Sequence, residues 1–229
     1  MVSTNGVNIP FRRHDLVWLS GKGREYVLHN IQNCIPLIDK NKIREAILCE
    51  PQIPAIVRRQ ETGKNNLLYI GFSFPEVIDG VRLRISSKTP LDCIIKHTPP
   101  FDLALYDKKN SPFPEILDAL VSAGDKFKVQ VGCFGSAALQ MVTGLPYIQK
   151  NSDLDIYLRH SGTFQELEQF FARLVALEKQ SGVIIDAEIE FQCQYGVKLK
   201  ELFAEGKTVL GKGLYDVALL RKEDIAKKS

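Results

Sequence analysis

Apolar residues in the first half of the chain recur with the spacing of β-strands. Three short runs alternate or cluster apolar residues over strand lengths: PAIVRR (54–59), LLYIGFSF (67–74) and VRLRIS (81–86). A single helix is predicted in NKIREAILC (41–49), where the apolar positions follow a helical period. This half of the chain is therefore predicted to be rich in β-structure.

The segment TPPFDLALYDKKNSPFP (98–114) separates the two halves of the sequence. It contains four prolines and several charged residues, a composition typical of a connection between two lobes. We therefore expect a β-rich N-terminal domain over residues 1–105 and a second domain over residues 106–229.

Predicted helices and strands alternate in the second half. The helices are expected at 114–123, 136–142, 163–179 and 198–204, and the strands at 128–134, 153–158, 183–191 and 214–220. Gly124 is expected to end the first helix, and Thr163 with Glu166 is expected to form a capping box at the start of the third. This order predicts a mixed sheet with helices packed on it, so the fold class is α+β.

Composition and charge indicate an ordinary globular protein. The chain has 229 residues, of which 45% are hydrophobic and 25% are charged. Its formal net charge of +3 suits an anionic ligand. The excess of basic residues is too small to indicate nucleic-acid binding.

The cysteines and the N-terminus indicate a cytoplasmic protein. The five cysteines are widely spaced and include no C-x-x-C pair, so we expect free thiols: Cys34, Cys49, Cys93, Cys133 and Cys193. The N-terminal MVSTNGVNIPFRRHD lacks the apolar core of a secretory signal. No apolar run is long enough to span a membrane, and we expect no membrane partner.

Two carboxylates stand within the apolar run DLDIYL (153–158). On a strand, alternate residues share a face, so Asp153 and Asp155 point one way and the intervening leucine points into the core. Like charges at this spacing repel one another unless a cation lies between them. Mg²⁺ prefers one or two such carboxylates together with phosphate oxygens, so a metal site is one interpretation. A solvated strand edge is the alternative for an isolated D-x-D.

The strand VIIDAEIEF (183–191) repeats the alternation. Asp186, Glu188 and Glu190 share one face, and the apolar residues share the other. If this strand neighbours DLDIYL, a third carboxylate completes a metal cluster suited to phosphoryl transfer. Otherwise the three acids are the solvated face of an edge strand, an alternative that is strongest for Glu190.

Gly135 and Ser136 lie between a predicted strand and the helix that follows it. Glycine allows close approach of the backbone to a phosphate, and the start of a helix offers N–H donors. The serine hydroxyl adds another donor. Alternatively, Ser136 is only the N-cap of the helix.

Together these motifs resemble the nucleotidyltransferase superfamily that includes DNA polymerase beta. The segments between them are similar to one family within it, the malonate decarboxylase holo-[acyl-carrier protein] synthases, also called phosphoribosyl-dephospho-CoA transferases. The resemblance rests on HDLVWL (14–19), TGLPYIQKNSDLDIYL (143–158) and DAEIEF (186–191). It implies a polymerase-beta-like nucleotidyltransferase domain after the β-rich domain.

The resemblance also implies a reaction. A serine of the apo acyl carrier protein of malonate decarboxylase, or of the similar citrate lyase carrier, would attack 2′-(5″-triphosphoribosyl)-3′-dephospho-CoA and release pyrophosphate. Asp153 and Asp155 would hold Mg²⁺, and Mn²⁺ would suit the same ligands. Asp186 and Glu188 are both catalytic candidates, and Glu188 is assigned to the metal. Ala187, where the family has glycine, leaves the choice of the third acid open.

Lys212, in KTVLGKGLYDV, matches a lysine of the family and would bind the phosphates, unless it is a solvated turn residue. Two other functions remain open at this point. The same acids would serve a nucleotidyltransferase that uses an NTP and a different hydroxyl acceptor. A catalytically silent nucleotide-binding protein is the second alternative, which the intact acids disfavour.

Overall fold

The computed structural model describes residues 10–61, 66–103, 110–191 and 195–226. The chain divides into two compact units, Met1–Pro99 and Pro100–Ser229. The predicted boundary between residues 105 and 106 lies outside the described residues, so the domain limits remain a prediction. In both units helices accompany a sheet, which confirms the predicted α+β class.

The first unit is built on an antiparallel sheet. Its strands are β1 (Leu16–Leu19), β2 (Asn33–Ile35), β3 (Ala55–Val57), β4 (Leu67–Ile78), β5 (Val81–Pro90) and β6 (Ile94–Thr98). Its helices are α1 (Gly21–His29) and α2 (Lys40–Cys49). Within the described residues the strands lie in the order β2-β5-β4-β3-β1-β6, and each pairing is antiparallel. The β-rich character predicted for this half is confirmed.

Arg24 of α1 is buried and ties together the last turn of α2 and the backbone that follows it. Its guanidinium donates hydrogen bonds to the carbonyl oxygens of Ile47, Pro51 and Ile53, and it lies over the Phe72 ring. These bonds engage both terminal nitrogens of the buried cation and lower the cost of its burial, whereas the buried Nε makes no hydrogen bond within the described residues. Arg24 therefore holds a segment that has little regular structure of its own.

Replacing Arg24 with methionine is expected to lower the free energy of unfolding by about 3 kcal/mol or more, because the substitution leaves buried carbonyl oxygens without donors. Trp18, the single tryptophan, lies in this unit and reports its unfolding by fluorescence during a urea titration. Arg44→Met is the control, because Arg44 is exposed and lies 3.8 Å from Glu25. Equal urea midpoints for the two variants would contradict this role.

The second unit contains a mixed sheet. Its strands are β7 (Val129–Cys133), β8 (Leu154–His160), β9 (Ile185–Glu190), β10 (Gly196–Lys198), β11 (Thr208–Lys212) and β12 (Val217–Arg221). Its helices are α3 (Pro100–Leu103), α4 (Pro114–Phe127), α5 (Gly135–Thr143), α6 (Phe164–Ser181), α7 (Leu199–Phe203) and α8 (Lys222–Ala226). The strands lie in the order β12-β11-β10-β9-β8-β7 within the described residues. The β8–β9 pair is parallel and its neighbours pair antiparallel, which confirms the predicted mixed sheet.

The two faces of this sheet are covered differently. The apolar face, which includes Leu154, Ile156 and Leu158, is buried and forms the core. Helix α4 packs on β7 and on α6, whose capping box between Thr163 and Glu166 is present as predicted. Helix α3 packs on the opposite face. The polar side chains of β8 and β9 lie on that opposite face.

Gly124 does not end α4 as predicted, because the helix continues to Phe127. A Cβ at Gly124 would overlap the carbonyl oxygen of Val129, so the glycine allows the helix to pack closely against β7. The residue that caps the helix is instead Lys128, which has a left-handed conformation with φ 57°. The glycine therefore marks a packing contact rather than a helix end.

Four cysteines of the described residues are free thiols, as predicted: Cys34, Cys49, Cys93 and Cys133. Cys193 lies outside the described residues. In the part of the chain that the structure describes, no helix combines the length and the apolarity needed to cross a membrane.

Candidate active site

The two acidic strands are neighbours, which is the condition that the sequence left open. Strands β8 and β9 run parallel, and their register places Asp155 beside Asp186 and Tyr157 beside Glu188. Because side chains alternate along both strands, these residues share the face opposite the apolar core. Helix α6 connects the two strands, as expected for a parallel pair.

Three carboxylates converge at one end of this face. Asp153, Asp155 and Asp186 each offer a carboxylate oxygen, and these oxygens all lie within 4.8 Å of one another. We call these three residues the acid group. Asp153 is exposed and directly precedes β8, and the other two are partly buried. Oxygen ligands at this spacing fit a hard divalent cation such as Mg²⁺.

Glu188 lies one residue pair further along the same face. It is buried, with 5% of its surface exposed, and the acid group does not include it. A Cβ at Gly196, in the neighbouring strand β10, would overlap its carboxylate, so Glu188 lies against the β10 backbone. Of the two candidates for the third acid, the structure thus brings Asp186 to the aspartates of β8.

The electrostatics of the acid group favour a bound cation. The pKa of Asp155 is raised to about 7, first by burial and then by repulsion from Asp153 and Asp186. Lys198 acts in the opposite direction, and Glu188 adds to the repulsion. A divalent cation would reverse this shift, because it stabilises the ionised carboxylate. The residues present therefore fit a metal ion.

Lys198 is a residue of this site that the sequence analysis missed. Its Nζ donates a hydrogen bond to Asp186 Oδ2 over 2.8 Å, and this bond is the main reason that the pKa of Lys198 is raised. In β10 Lys198 is paired with Glu188, so its side chain reaches diagonally to Asp186. In the sequence, a lysine directly after Gly196-Val197 is only a weak signal of a functional residue. Its partner, Asp186, becomes evident only from the antiparallel pairing of β10 with β9.

Gly135 lies beside the acid group, at the start of α5. Its φ of +66° is in the left-handed region, and an added Cβ would overlap Asp155 Oδ2. The preceding residue, Phe134, donates its backbone N–H to the Asp155 carbonyl over 3.1 Å. Glycine thus allows the backbone at this turn to approach the carboxylate closely.

Ser136 is the second residue of α5. Phe134 occupies the N-cap position and makes no side-chain capping bond, so the alternative that Ser136 is the N-cap is wrong. The start of α5 presents backbone N–H donors and the positive end of the helix dipole close to Asp155. The start of α5 therefore lies beside the acid group, and phosphate binding by Gly135 and Ser136 stays a prediction.

Lys212 lies at a different place on the sheet. It ends β11 and is paired with Gly196, which in turn is paired with Glu190. Strand spacing puts its backbone roughly 16 Å from that of Asp186. Lys198, rather than Lys212, contacts the acid group. Glu190 is held by Arg159, which donates to Glu190 Oε2 over 2.9 Å.

Comparisons with known proteins cover both units. The family model of the phosphoribosyl-dephospho-CoA transferase MdcG N-terminal domain matches residues 12–100, and that of the C-terminal domain matches residues 103–223. A phosphoribosyl-dephospho-CoA transferase of Xanthomonas axonopodis pv. citri is 29% identical over 140 residues, which are 60% of this chain and 59% of the relative.

A protein of the same name from Bradyrhizobium diazoefficiens is 28% identical over 104 residues, 45% of this chain and 46% of the relative. The matched segment thus spans between about half and three fifths of the length of these curated relatives. No solved structure matches the chain.

Proposed function

Because the chain belongs to the phosphoribosyl-dephospho-CoA transferase family, we propose that it attaches this prosthetic group to an acyl carrier protein. The proposed donor is 2′-(5″-triphosphoribosyl)-3′-dephospho-CoA, and the proposed acceptor is a serine of the apo carrier protein of malonate decarboxylase. The observation that carries the proposal is the convergence of Asp153, Asp155 and Asp186 beside the start of α5.

In the proposed reaction the serine Oγ forms a bond to the α-phosphorus of the donor. The bond between this phosphorus and the bridging oxygen of the pyrophosphate breaks, and pyrophosphate leaves with the electron pair. The serine proton passes to a carboxylate of the acid group, and Asp186 is the residue that we assign to this step. A positioned carboxylate can act as a general base in this way.

Mg²⁺ is the proposed cofactor, and Mn²⁺ would suit the same oxygen ligands. Asp153, Asp155 and Asp186 would hold it, and its chemistry is to neutralise charge on the polyphosphate during an in-line displacement. We propose Asp186 as the third ligand because it lies in the acid group. Glu188 is buried outside the acid group, and we propose that its charge raises the pKa of Asp155 by repulsion.

Gly135 and Ser136 are proposed to bind the phosphates of the donor. The backbone N–H groups at the start of α5 and the Ser136 hydroxyl supply donors that are fixed before the substrate arrives. Preorganised donors stabilise charge that develops during phosphoryl transfer. Lys212, at its distance from the acid group, is proposed to contact a more remote part of the donor.

The intact mass of the carrier protein tests this proposal. Purified apo carrier of malonate decarboxylase, incubated with the protein, Mg²⁺ and donor, is expected to gain the mass of the donor minus pyrophosphate. Chelation of the metal should prevent the gain, and so should replacement of the acceptor serine by alanine. The citrate lyase carrier, assayed in parallel, measures the preference between the two acceptors.

No gain in mass with a competent donor and carrier would contradict the proposed transfer. A gain with ATP in place of the donor would instead assign the site to nucleotidyl transfer from an NTP. Donor binding without any turnover would assign the chain to the nucleotide-binding proteins that lack catalysis.

A further inference from the structure

Lys198 is bound to the acid group by a short ion pair. Its ammonium lies 2.8 Å from Asp186 Oδ2, and the side chains of Lys198 and Asp186 are 39% and 31% exposed. A solvated polyphosphate could therefore reach the ammonium without any change in the backbone. The charges of Glu201 and Asp155 also favour the protonated form of this lysine.

The helix that follows does not itself require a lysine at this position, although Glu201 of α7 also attracts its charge. Lys198 is the N-cap residue of α7, and it makes no side-chain capping bond. A lysine side chain carries only donors, so it cannot accept the N–H bonds that a cap residue satisfies. A cation is also disfavoured at the positive end of a helix. The hydrogen bond to the Asp186 carboxylate is the largest effect that offsets these costs, and Glu201 adds to it.

The charges of the site suggest when this lysine changes partner. The acid group carries three negative charges when it is fully ionised, and Lys198 offsets one of them. A divalent cation bound to the three carboxylates would leave Lys198 able to neutralise an incoming anion. An ammonium on a flexible stem suits a change of partner better than a fixed guanidinium.

We propose that Lys198 is the internal counter-ion of the acid group in the metal-free protein and turns to the donor's polyphosphate when a divalent cation takes Asp186. The proposal rests on the metal site assigned under the proposed function. It goes further because it gives one residue two successive partners, and because it assigns a phosphate ligand in a strand where the sequence indicated none.

Binding of Mn²⁺ alone tests the first half of the proposal. Measured by electron paramagnetic resonance on the whole chain, Lys198→Gln is expected to bind Mn²⁺ about fivefold more tightly than the wild type, because a competing positive charge has been removed. Lys200→Gln is the matched control. Lys200 forms an ion pair of the same kind with Glu178, at 2.7 Å, outside the acid group. Its Mn²⁺ affinity should equal that of the wild type.

Binding of inorganic triphosphate in the presence of Mn²⁺ tests the second half. By calorimetry, Lys198→Gln should bind triphosphate about tenfold more weakly, and Lys198→Arg should restore most of the affinity. Mn²⁺ affinity that does not rise in Lys198→Gln, or triphosphate affinity that does not fall, overturns the proposal.

Neither measurement uses donor or carrier protein. The two measurements therefore distinguish a failure of the proposed role of Lys198 from a failure of the proposed transfer reaction. Wild-type protein that binds no Mn²⁺ overturns the metal site and this role of Lys198 together. The expected binding results in a protein that transfers nothing to the carrier would support Lys198 as the counter-ion and overturn only the proposed transfer.

Discussion

Replacing Asp155 with asparagine is expected to abolish transfer and, at the same time, to stabilise the metal-free protein at neutral and alkaline pH. The proposed reaction loses a central ligand of the acid group, so we expect the rate to fall by about a thousandfold or more. The stabilisation follows from the electrostatics, because Asp155 is partly buried beside two other carboxylates. Asparagine has nearly the same shape and no charge.

The sign of the stability effect follows from the raised pKa. Asp155 ionises near 3.8 in the unfolded chain and near 7 in the folded protein, so the folded state binds more protons between these values. Folding stability therefore falls as the pH rises from about 4 to 7, and the full penalty applies above 7. The substitution removes this penalty, a gain of about 1–2 kcal/mol once solvent screening is taken into account.

Thermal unfolding in the presence of a chelator, at pH 5 and at pH 8, measures the effect. The melting temperature of Asp155→Asn should exceed that of the wild type at pH 8, with a difference of about half that size or less at pH 5. Asp125→Asn is the control, because Asp125 is exposed on α4 and lies outside the acid group. An equal difference at both pH values, or none, would contradict ionisation of Asp155 as the source of the penalty.

Much of the acid group could be predicted from the sequence, because it depends on strand periodicity. Alternation in DLDIYL places Asp153 and Asp155 on one face, and the long amphipathic helix α6 between β8 and β9 favours a parallel pair. Periodicity and connectivity together therefore bring an acidic residue of β9 close to Asp155. The register confirms that the two strands are neighbours.

The choice between Asp186 and Glu188 could not be made in this way. Both residues lie on the same face of β9, so periodicity treats them alike, and only the stagger of the parallel pair places Asp186 beside Asp155. A shift of two residues would exchange them without burying a different face. This stagger is set by side-chain packing, which local sequence patterns do not record.

Short elements and tight packing account for the other differences between the predicted and the observed structure. Strand β10 has three residues, too few for a period, so the position of Lys198 could not be predicted. Helix α1 follows the Ser20 N-cap and begins with GKG. Because glycine disfavours helices, the sequence pattern did not predict a helix there. Gly124 resembles a helix end in the sequence, but it serves a close contact with β7.

Replacing Gly135 with alanine is expected to lower the transfer rate by about a hundredfold or more, although the change adds only one methyl group. The added Cβ would overlap Asp155 Oδ2, so the carboxylate or the start of α5 must move. A displacement of about 1 Å in a reacting centre is enough for a loss of this size. Mn²⁺ affinity should fall along with the rate, because Asp155 belongs to the acid group.

The control variant Gly144→Ala distinguishes the effect of this clash on transfer from the effect of backbone strain. Gly144 ends α5 and has a φ of +69°, close to the +66° of Gly135, yet an added Cβ there meets no atom within 4 Å. Both substitutions therefore carry the cost of a left-handed alanine, about 1 kcal/mol, and only Gly135→Ala also disturbs Asp155. If the close approach of α5 to Asp155 matters, Gly144→Ala should lose stability but retain transfer and Mn²⁺ binding. Equal losses of transfer in the two variants would instead attribute the effect to strain in α5.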